Sequence, residues 1–358
     1  MRFSGFTLAK FDFTKDLSQQ RTLFKDCFPE TNGEAIQSKD HYVWKFHSFP
    51  NEVQSWEFVA AINSVMVGYY AAIPYRYKIG KKITNVGMVC DVMTSSKHRG
   101  QGIFTKLGMY STKELSSEIP FSMGYPIRKE VIPGHLKVGW KIAFKMPLYM
   151  KFIKLDALLK DKRLGFIAPF VNTFISLYNR IVKTKFNSKY SHQLSSDIND
   201  VIGYSAFVNE WITSVPNALI KDLPFATWRY NAPERKYKFL SIYTVEKKMI
   251  GFVSFRDIVK EGVYSYGILD YMVLPEYDDC HGLINSVVLE CAKKEKVETI
   301  MTMMSKYSAS NYQLLRNGFF KSPFVFQLII NNLTNKFCDK ELFNEKNWHL
   351  MWVDSDDL

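Results

Sequence analysis

Apolar positions fall into two kinds of run along the chain, some alternating or continuous and some at helical spacing. Ile83 to Met93 (ITNVGMVCDVM) is dense in Val, Ile and Met and predicts a buried strand. Ile103, Leu107, Tyr110 and Leu115 then recur at helical spacing, with Lys113 and Glu114 between them. They predict an amphipathic helix opening at about Gly102. Between the two lies a polar loop, Lys97-His98-Arg99-Gly100-Gln101-Gly102.

The pattern occurs twice. Trp44-Lys45-Phe46, with Pro50 close behind, precedes the hairpin-like SWEFVAAINSVMVGYYAAI; Trp228-Arg229-Tyr230, with Pro233 close behind, precedes KFLSIYTVEKKMIGFVSF. Val67-Gly68 matches Ile250-Gly251 within the hairpins. Cys90-Asp91-Val92-Met93 matches Leu269-Asp270-Tyr271-Met272 in the strand that follows. Gly102-Ile103 and Gly282-Leu283 open helices, and short helices end at Gly139-Trp140 and Gly318-Phe319. Ordered agreement of five landmarks predicts two copies of one fold, each running strand, helix, hairpin, long strand, helix, strand, helix, strand. The class is α/β (α+β). The copies fall at residues 1–153 and 198–332, with a helical linker at 154–197 and a C-terminal tail at 333–358.

The linker holds an apolar stretch, LGFIAPFVNTFISLYNRIV (164–182), with Lys160, Lys162 and Arg163 before it and Lys183 and Lys185 after. Pro169, Asn172, Asn179 and Arg180 argue against a spanning helix. Phe166, Phe170, Phe174 and Tyr178 step by four and give an aromatic face. That face either packs on the domains or lies in a membrane interface.

Composition narrows the partners. The formal net charge of +12 favours anionic ones, such as nucleotides, CoA, nucleotide-sugars or acidic membranes. The lysines are spread widely without a nucleic-acid-binding motif, so nucleic acid is not expected. Five cysteines, an odd number without metal-ligand spacing, predict a reduced cytoplasmic protein with no bound metal.

The loop at 97–102 has the chemistry of an anion cradle. Glycines let the backbone turn sharply, a helix start presents unpaired N–H groups, and Lys97 and Arg99 add charge. A phosphate or pyrophosphate suits it. No Gly-Lys-Ser/Thr follows, so it is not a Walker loop, and a third glycine for a dinucleotide fingerprint is missing.

Arg99-Gly100-Gln101-Gly102-Ile103-Phe104 resembles the acetyl-CoA loop of the GNAT acetyltransferases, Arg/Gln-x-x-Gly-x-Gly/Ala, and differs at Phe104, where that family has a small residue. The element order of both copies is similar to GNAT domains as well. The resemblance implies two tandem domains, each with a mixed, mostly antiparallel central sheet flanked by helices. It implies acetyl-CoA as donor co-substrate. Backbone groups near Met93 and Thr94 would hold the pantetheine arm, and the N–H groups of Arg99, Gly100, Gln101, Gly102, Ile103 and Phe104 the pyrophosphate. In the family, a tyrosine acting as general acid commonly stands four residues before the glycine matched by Gly139. His135 occupies that place, with Tyr125 and Glu130 in reserve. Asp91, Trp44 and Trp228 recur in both copies and are expected to be structural.

In the second copy the loop is acidic, with Asp278 and Asp279 where the first has His98 and Arg99. Carboxylates repel a pyrophosphate, so this copy is expected not to bind CoA. YPIRKEVIPGHLKVGWK (125–141) and the closing NWHLMWVDSDDL resemble tandem GNAT proteins encoded with bacterial surface-polysaccharide enzymes. That resemblance implies an amine acceptor such as an amino-sugar on a nucleotide or lipid carrier. The alternatives are tRNA-dependent aminoacyl transfer to peptidoglycan precursors, and a non-catalytic acyl-CoA-binding scaffold. The location expected is cytoplasmic, with peripheral contact at the inner membrane face through 164–182.

Overall fold

A computed structural model describes residues 2–3, 5–126, 128–182, 189–260 and 262–355. Lys183 and Lys185, and the last three residues of the acidic ending, lie outside the described residues. The first repeat runs β1 (Arg2–Phe3), β2 (Phe6–Lys10), α1 (Phe13–Cys27), α2 (Lys39–His47), β3 (Trp56–Ile62), β4 (Val65–Ile79), β5 (Lys82–Thr94), α3 (Ile103–Leu115), β6 (Phe121–Gly124), α4 (Ile132–Lys137) and β7 (Lys141–Phe152). There follow α5 (Asp156–Asp161), α6 (Ala168–Ile181), β8 (Ser191–Ser195), α7 (Tyr204–Ser214), β9 (Asn217–Leu219), α8 (Leu223–Tyr230), β10 (Lys238–Tyr243), β11 (Met249–Lys260), β12 (Val263–Val273), α9 (His281–Lys294), β13 (Thr299–Met303), α10 (Lys306–Asn311), β14 (Phe320–Asn332), α11 (Asp339–Leu342) and β15 (Trp348–His349). Among the described residues, no helix is long and apolar enough to cross a membrane.

The chain forms two compact units. One comprises Met1–Phe144, Asn231–Arg235 and Gln327–Asn347; the other Lys145–Tyr230, Lys236–Phe326 and Trp348–Leu358. The units therefore depart from the division at 153 and 332: each contains the end of the strand that closes the opposite repeat. Period-2 patterning sets which way a strand faces but not which strand it joins.

In the first unit, β1 to β5 pair antiparallel in sequence order. β6 joins β5 in parallel, and Ile329–Asn332 of β14 joins β6 antiparallel. On one face, Phe58, Ala60, Val67 and Tyr70 pack against Ile103 and Leu107 of α3, in a core that also takes in Val138, Trp140 and Ile329. The other face carries α1 and α2. Asp12 caps α1 by accepting from Thr14 N (3.0 Å). β5 bulges at Asp91, where the φ is +48° and the register against β4 shifts.

In the second unit, β8, β10, β11 and β12 pair antiparallel, β13 joins β12 in parallel, and Leu148–Phe152 of β7 joins β13 antiparallel. The strand β8 lies inside the stretch expected to be a helical linker. Its sequence, SHQLS, is polar and mostly exposed, so it carries no apolar alternation to betray it. The repeat holds in detail. Asp270 also adjoins a register shift, Gly139 and Gly318 both have left-handed φ, and Trp44 and Trp228 are buried. The closing segment is part of the core, with Trp348, Leu350, Met351, Trp352 and Val353 buried in the second unit.

Candidate functional site: a splayed strand and a glycine cradle

Residues at the end of β5 build one side of the site. The register of β5 on β6 consists of Gly87 with Ser122 and Met88 with Met123, and β5 then continues to Thr94. On its other edge it stays paired with β4 through Tyr69–Met93 and Gly68–Thr94. Beyond the parallel pairing, the strands part and the segment after β6 runs on to α4. The Asp91 bulge adds twist where they separate.

Three side chains that sequence reasoning missed hold this opening together. Cys27, the last residue of α1, donates its thiol to Thr94 O (3.5 Å). Burial pushes that thiol up to about 11, so it stays a protonated donor. Asp26 accepts from Ser96 N and Ser96 Oγ (both 3.1 Å), and the backbone bond in particular lowers its pKa below the usual carboxylate range. Arg128, after β6, donates to Cys27 O (3.1 Å) and pairs with Glu30. The end of α1 is thus tied to both lips of the splay. Each of these bonds joins residues distant in sequence, so no local pattern marks them.

The cradle follows. Gly100 and Gly102 have φ of +79° and +76°. A Cβ at either would meet nothing within 4 Å, so what they supply is left-handed backbone rather than room. Gly102 caps α3, whose backbone ladder begins with Lys106 N to Gly102 O (3.0 Å). The N–H groups of Ile103, Phe104 and Thr105 precede that bond and lie at the positive end of the helix dipole. Arg99, Gly100, Gln101 and Gly102 are exposed, while Met93 and Ile103 are buried. Around this loop Thr94 Oγ1, His98 Nδ1 and His135 Nδ1 are buried without a hydrogen-bond partner. Orphaned polar atoms beside an open anion cradle fit a polar, phosphate-bearing ligand.

Phe104 points at α4 rather than across the cradle. A Cβ on Gly134 would come within 2.5 Å of its ring, and His135 meets the ring edge-on at 5.1 Å. Trp140 also packs edge-on against His135, at 5.1 Å. Burial lowers the pKa of His135 to about 4, so at neutral pH it is a neutral imidazole able to accept a bond at Nδ1 but not an imidazolium acid. Tyr125 is buried directly after β6, and Glu130 is exposed on the turn before α4. The structure brings His135 to Phe104; it leaves Glu130 on the surface.

The opposite face of the sheet holds a second polar cluster. Asp91 forms a buried ion pair with Lys45 (2.9 Å). Glu57 of β3 accepts from the hydroxyls of Tyr42 and Tyr69, with His47 Nε2 3.7 Å from its Oε1. Burial raises the pKa of Glu57 to about 7 against the pull of the two hydroxyls. The sequence signal was a lone Glu inside the apolar run Trp56-Glu57-Phe58.

The second unit has no such cradle at the matching place. The turn Pro275–Cys280 runs into α9 through Cys280 in right-handed conformation, and Gly282 is buried inside the helix. Asp279 is taken up by Lys189 (2.8 Å) and Tyr190 (2.5 Å). Asp270 meets Lys221 Nζ at 2.7 Å, and Asp354 of the closing segment meets the same nitrogen at 3.3 Å. Burial raises the pKa of both carboxyls, that of Asp354 to about 6.

Residues 13–143 match the family model described as an acetyltransferase (GNAT) domain. No curated protein matches the sequence. Among solved structures, the chain is similar to a probable N-acyltransferase of unknown function from Enterococcus faecalis V583 (11% identity, TM-score 0.63, covering 92% of this chain and 73% of that one). It is similar to a GCN5-related N-acetyltransferase from Anabaena variabilis (14%, 0.65, 92% and 73%). It is also similar to Saccharomyces cerevisiae N-myristoyltransferase with bound myristoyl-CoA and inhibitors (11%, 0.61, 93% and 81%). At these identities the likeness is one of fold.

Proposed function

We propose that the chain, whose residues 13–143 match the GNAT acetyltransferase domain, is an acyltransferase that transfers the acetyl group of acetyl-CoA to the amine of a small, polar, anionic acceptor. The observation that carries the reading is the pair of left-handed glycines, Gly100 and Gly102, opening α3 beside the splayed end of β5. The N–H groups from Arg99 to Phe104 would hold the pyrophosphate, and backbone groups near Met93 and Thr94 would hold the pantetheine arm. Acetyl-CoA supplies an activated thioester; the protein's part is to orient it, exclude water and take a proton from the amine. Glu57, with a pKa near 7 and the partly exposed His47 beside it, suits the proton acceptor. Neutral His135 suits a hydrogen-bonding partner at the other side of α3. An amino-sugar on a nucleotide or lipid carrier, in surface-polysaccharide synthesis at the inner face of a membrane, fits the net charge of +12.

Isothermal titration of acetyl-CoA into wild type and Arg99→Glu tests the donor site. One site per chain, weakened at least tenfold in the variant, is expected. Two equal sites would place a second cradle in the second unit. No binding would remove the acetyl-CoA reading, and with it the reason to screen amino-sugars.

A further inference from the structure

The helix α6 is apolar on the side that packs on the protein and apolar again on the side turned outward. Its protein-facing side carries Ala168, Val171, Asn172, Ile175, Tyr178 and Asn179, all buried or half-buried. Asn172 Oδ1 accepts from Leu155 N (2.9 Å), and Asn179 donates to Phe152 O (2.9 Å). Its outward side carries the largest apolar groups. Phe170, Phe174, Leu177 and Ile181 recur at steps of four, three and four, which puts them on one face. They are 72%, 72%, 53% and 73% exposed, and Phe166, on the turn leading in, is 76% exposed. Scattered apolar residues on a surface need no explanation, but a contiguous aromatic face does.

The charges around this face are mostly of one sign. Lys160, Lys162 and Arg163 are exposed at the approach to the helix, and Arg180 is exposed in its last turn. The acids nearby are Asp161, which pairs with Lys162 (3.3 Å), Asp156, which pairs with Lys154 (3.2 Å) and accepts from Asn172 (2.7 Å), and the buried Glu298, which accepts from Ala157 N (3.1 Å) and lies 3.9 Å from Lys154. Behind the helix, a groove of about 320 Å³ is walled by Phe152, Leu155, Val171, Ile175, Tyr178 and Phe320 among others, so the apolar surface continues inward. Self-association through this face would set basic flanks against basic flanks in either direction. An anionic bilayer satisfies both features, with acyl chains for the rings and headgroup phosphates for the lysines and arginines.

We propose that α6 is an interfacial membrane anchor, lying in the headgroup region of an anionic bilayer with Phe166, Phe170, Phe174, Leu177 and Ile181 submerged. This does not depend on the acceptor assigned above. The test is co-flotation of the full chain with vesicles of phosphatidylcholine alone and of phosphatidylcholine with phosphatidylglycerol in equal parts, with size-exclusion light scattering alongside. Flotation with the anionic vesicles, reversed by salt, is expected. It should fall at least tenfold in Phe170→Asp/Phe174→Asp and weaken in Lys160→Glu/Lys162→Glu. The residues are exposed, so the variants should unfold at the wild-type temperature; if either does not, the salt dependence of the wild type carries the test. Failure of the wild type to float overturns the proposal, as does flotation that the aspartate pair leaves unchanged. A wild-type dimer that the same pair converts to monomer, without flotation, would show that the face is a self-interface instead.

Discussion

Glu57 shows at the level of one side chain how burial sets chemistry. Two tyrosine hydroxyls favour its charged form, yet loss of solvent outweighs them and its pKa stands near 7. In the unfolded chain it titrates near 4.5. Between those values the folded state holds a proton that the unfolded state has lost, so stability falls as pH rises through the window. Glutamine keeps an acceptor for one hydroxyl and removes the titration. Denaturant unfolding from pH 4 to pH 8 should therefore show wild type losing roughly 3 kcal/mol relative to Glu57→Gln. A constant gap across that range would mean that Glu57 titrates in the folded protein as it does in the unfolded chain. If Glu57 also accepts the amine proton, the rise in kcat near pH 7 disappears in the same variant.

Between elements, the fit of α3 to α4 turns on Phe104 and Gly134. The loop motif has a small residue where this chain has Phe104, and Gly134 is the compensation, since any Cβ there would meet the ring at 2.5 Å. Alanine at 134 gains helix propensity but displaces the ring from His135. Gly134→Ala should destabilise by about 1–2 kcal/mol in wild type and stabilise by up to about 1 kcal/mol in a Phe104→Ala background. Thermal unfolding of the four proteins closes that cycle, and additive effects would mean that the contact is unimportant. Neither half of this pair announces itself in the sequence, because a mismatch at 104 and a glycine at 134 become one fact only when two helices meet. The strand at 82–94 and the helix at 103–115 were legible for the opposite reason: their signals are periodic and local. Helical spacing in α6 was legible too, but periodicity shows that a face exists and not which way it points. The outward apolar face of α6 and the polar strand β8 both defeat the rule that apolar groups turn inward. Glu57, Asp26, Cys27 and Arg128 escaped for a related reason, since their roles come from neighbours far along the chain.

For the whole molecule, the consequence lies in where each repeat ends. A fragment of residues 1–153 contains every residue of the loop and of the family match, yet it lacks Ile329–Asn332, which pairs with β6. It also lacks Asn331, which contacts Thr112 and Val138 O (3.4 Å each), and the buried Ile329 and Ile330. An exposed edge at β6 would leave the splay without support on its outer side. That fragment should show no cooperative unfolding and no acetyl-CoA binding. Residues 1–144 joined through a flexible linker to 327–347 restore the missing strand and should recover both. Circular dichroism with denaturant, followed by titration of acetyl-CoA, compares the two. If 1–153 folds and binds as well as the joined chain, the borrowed strand is dispensable and the repeat as read from the sequence is already the folding unit. If only the joined chain does, the cradle depends on residues more than 200 positions away, and cutting between the repeats destroys the site it was meant to isolate.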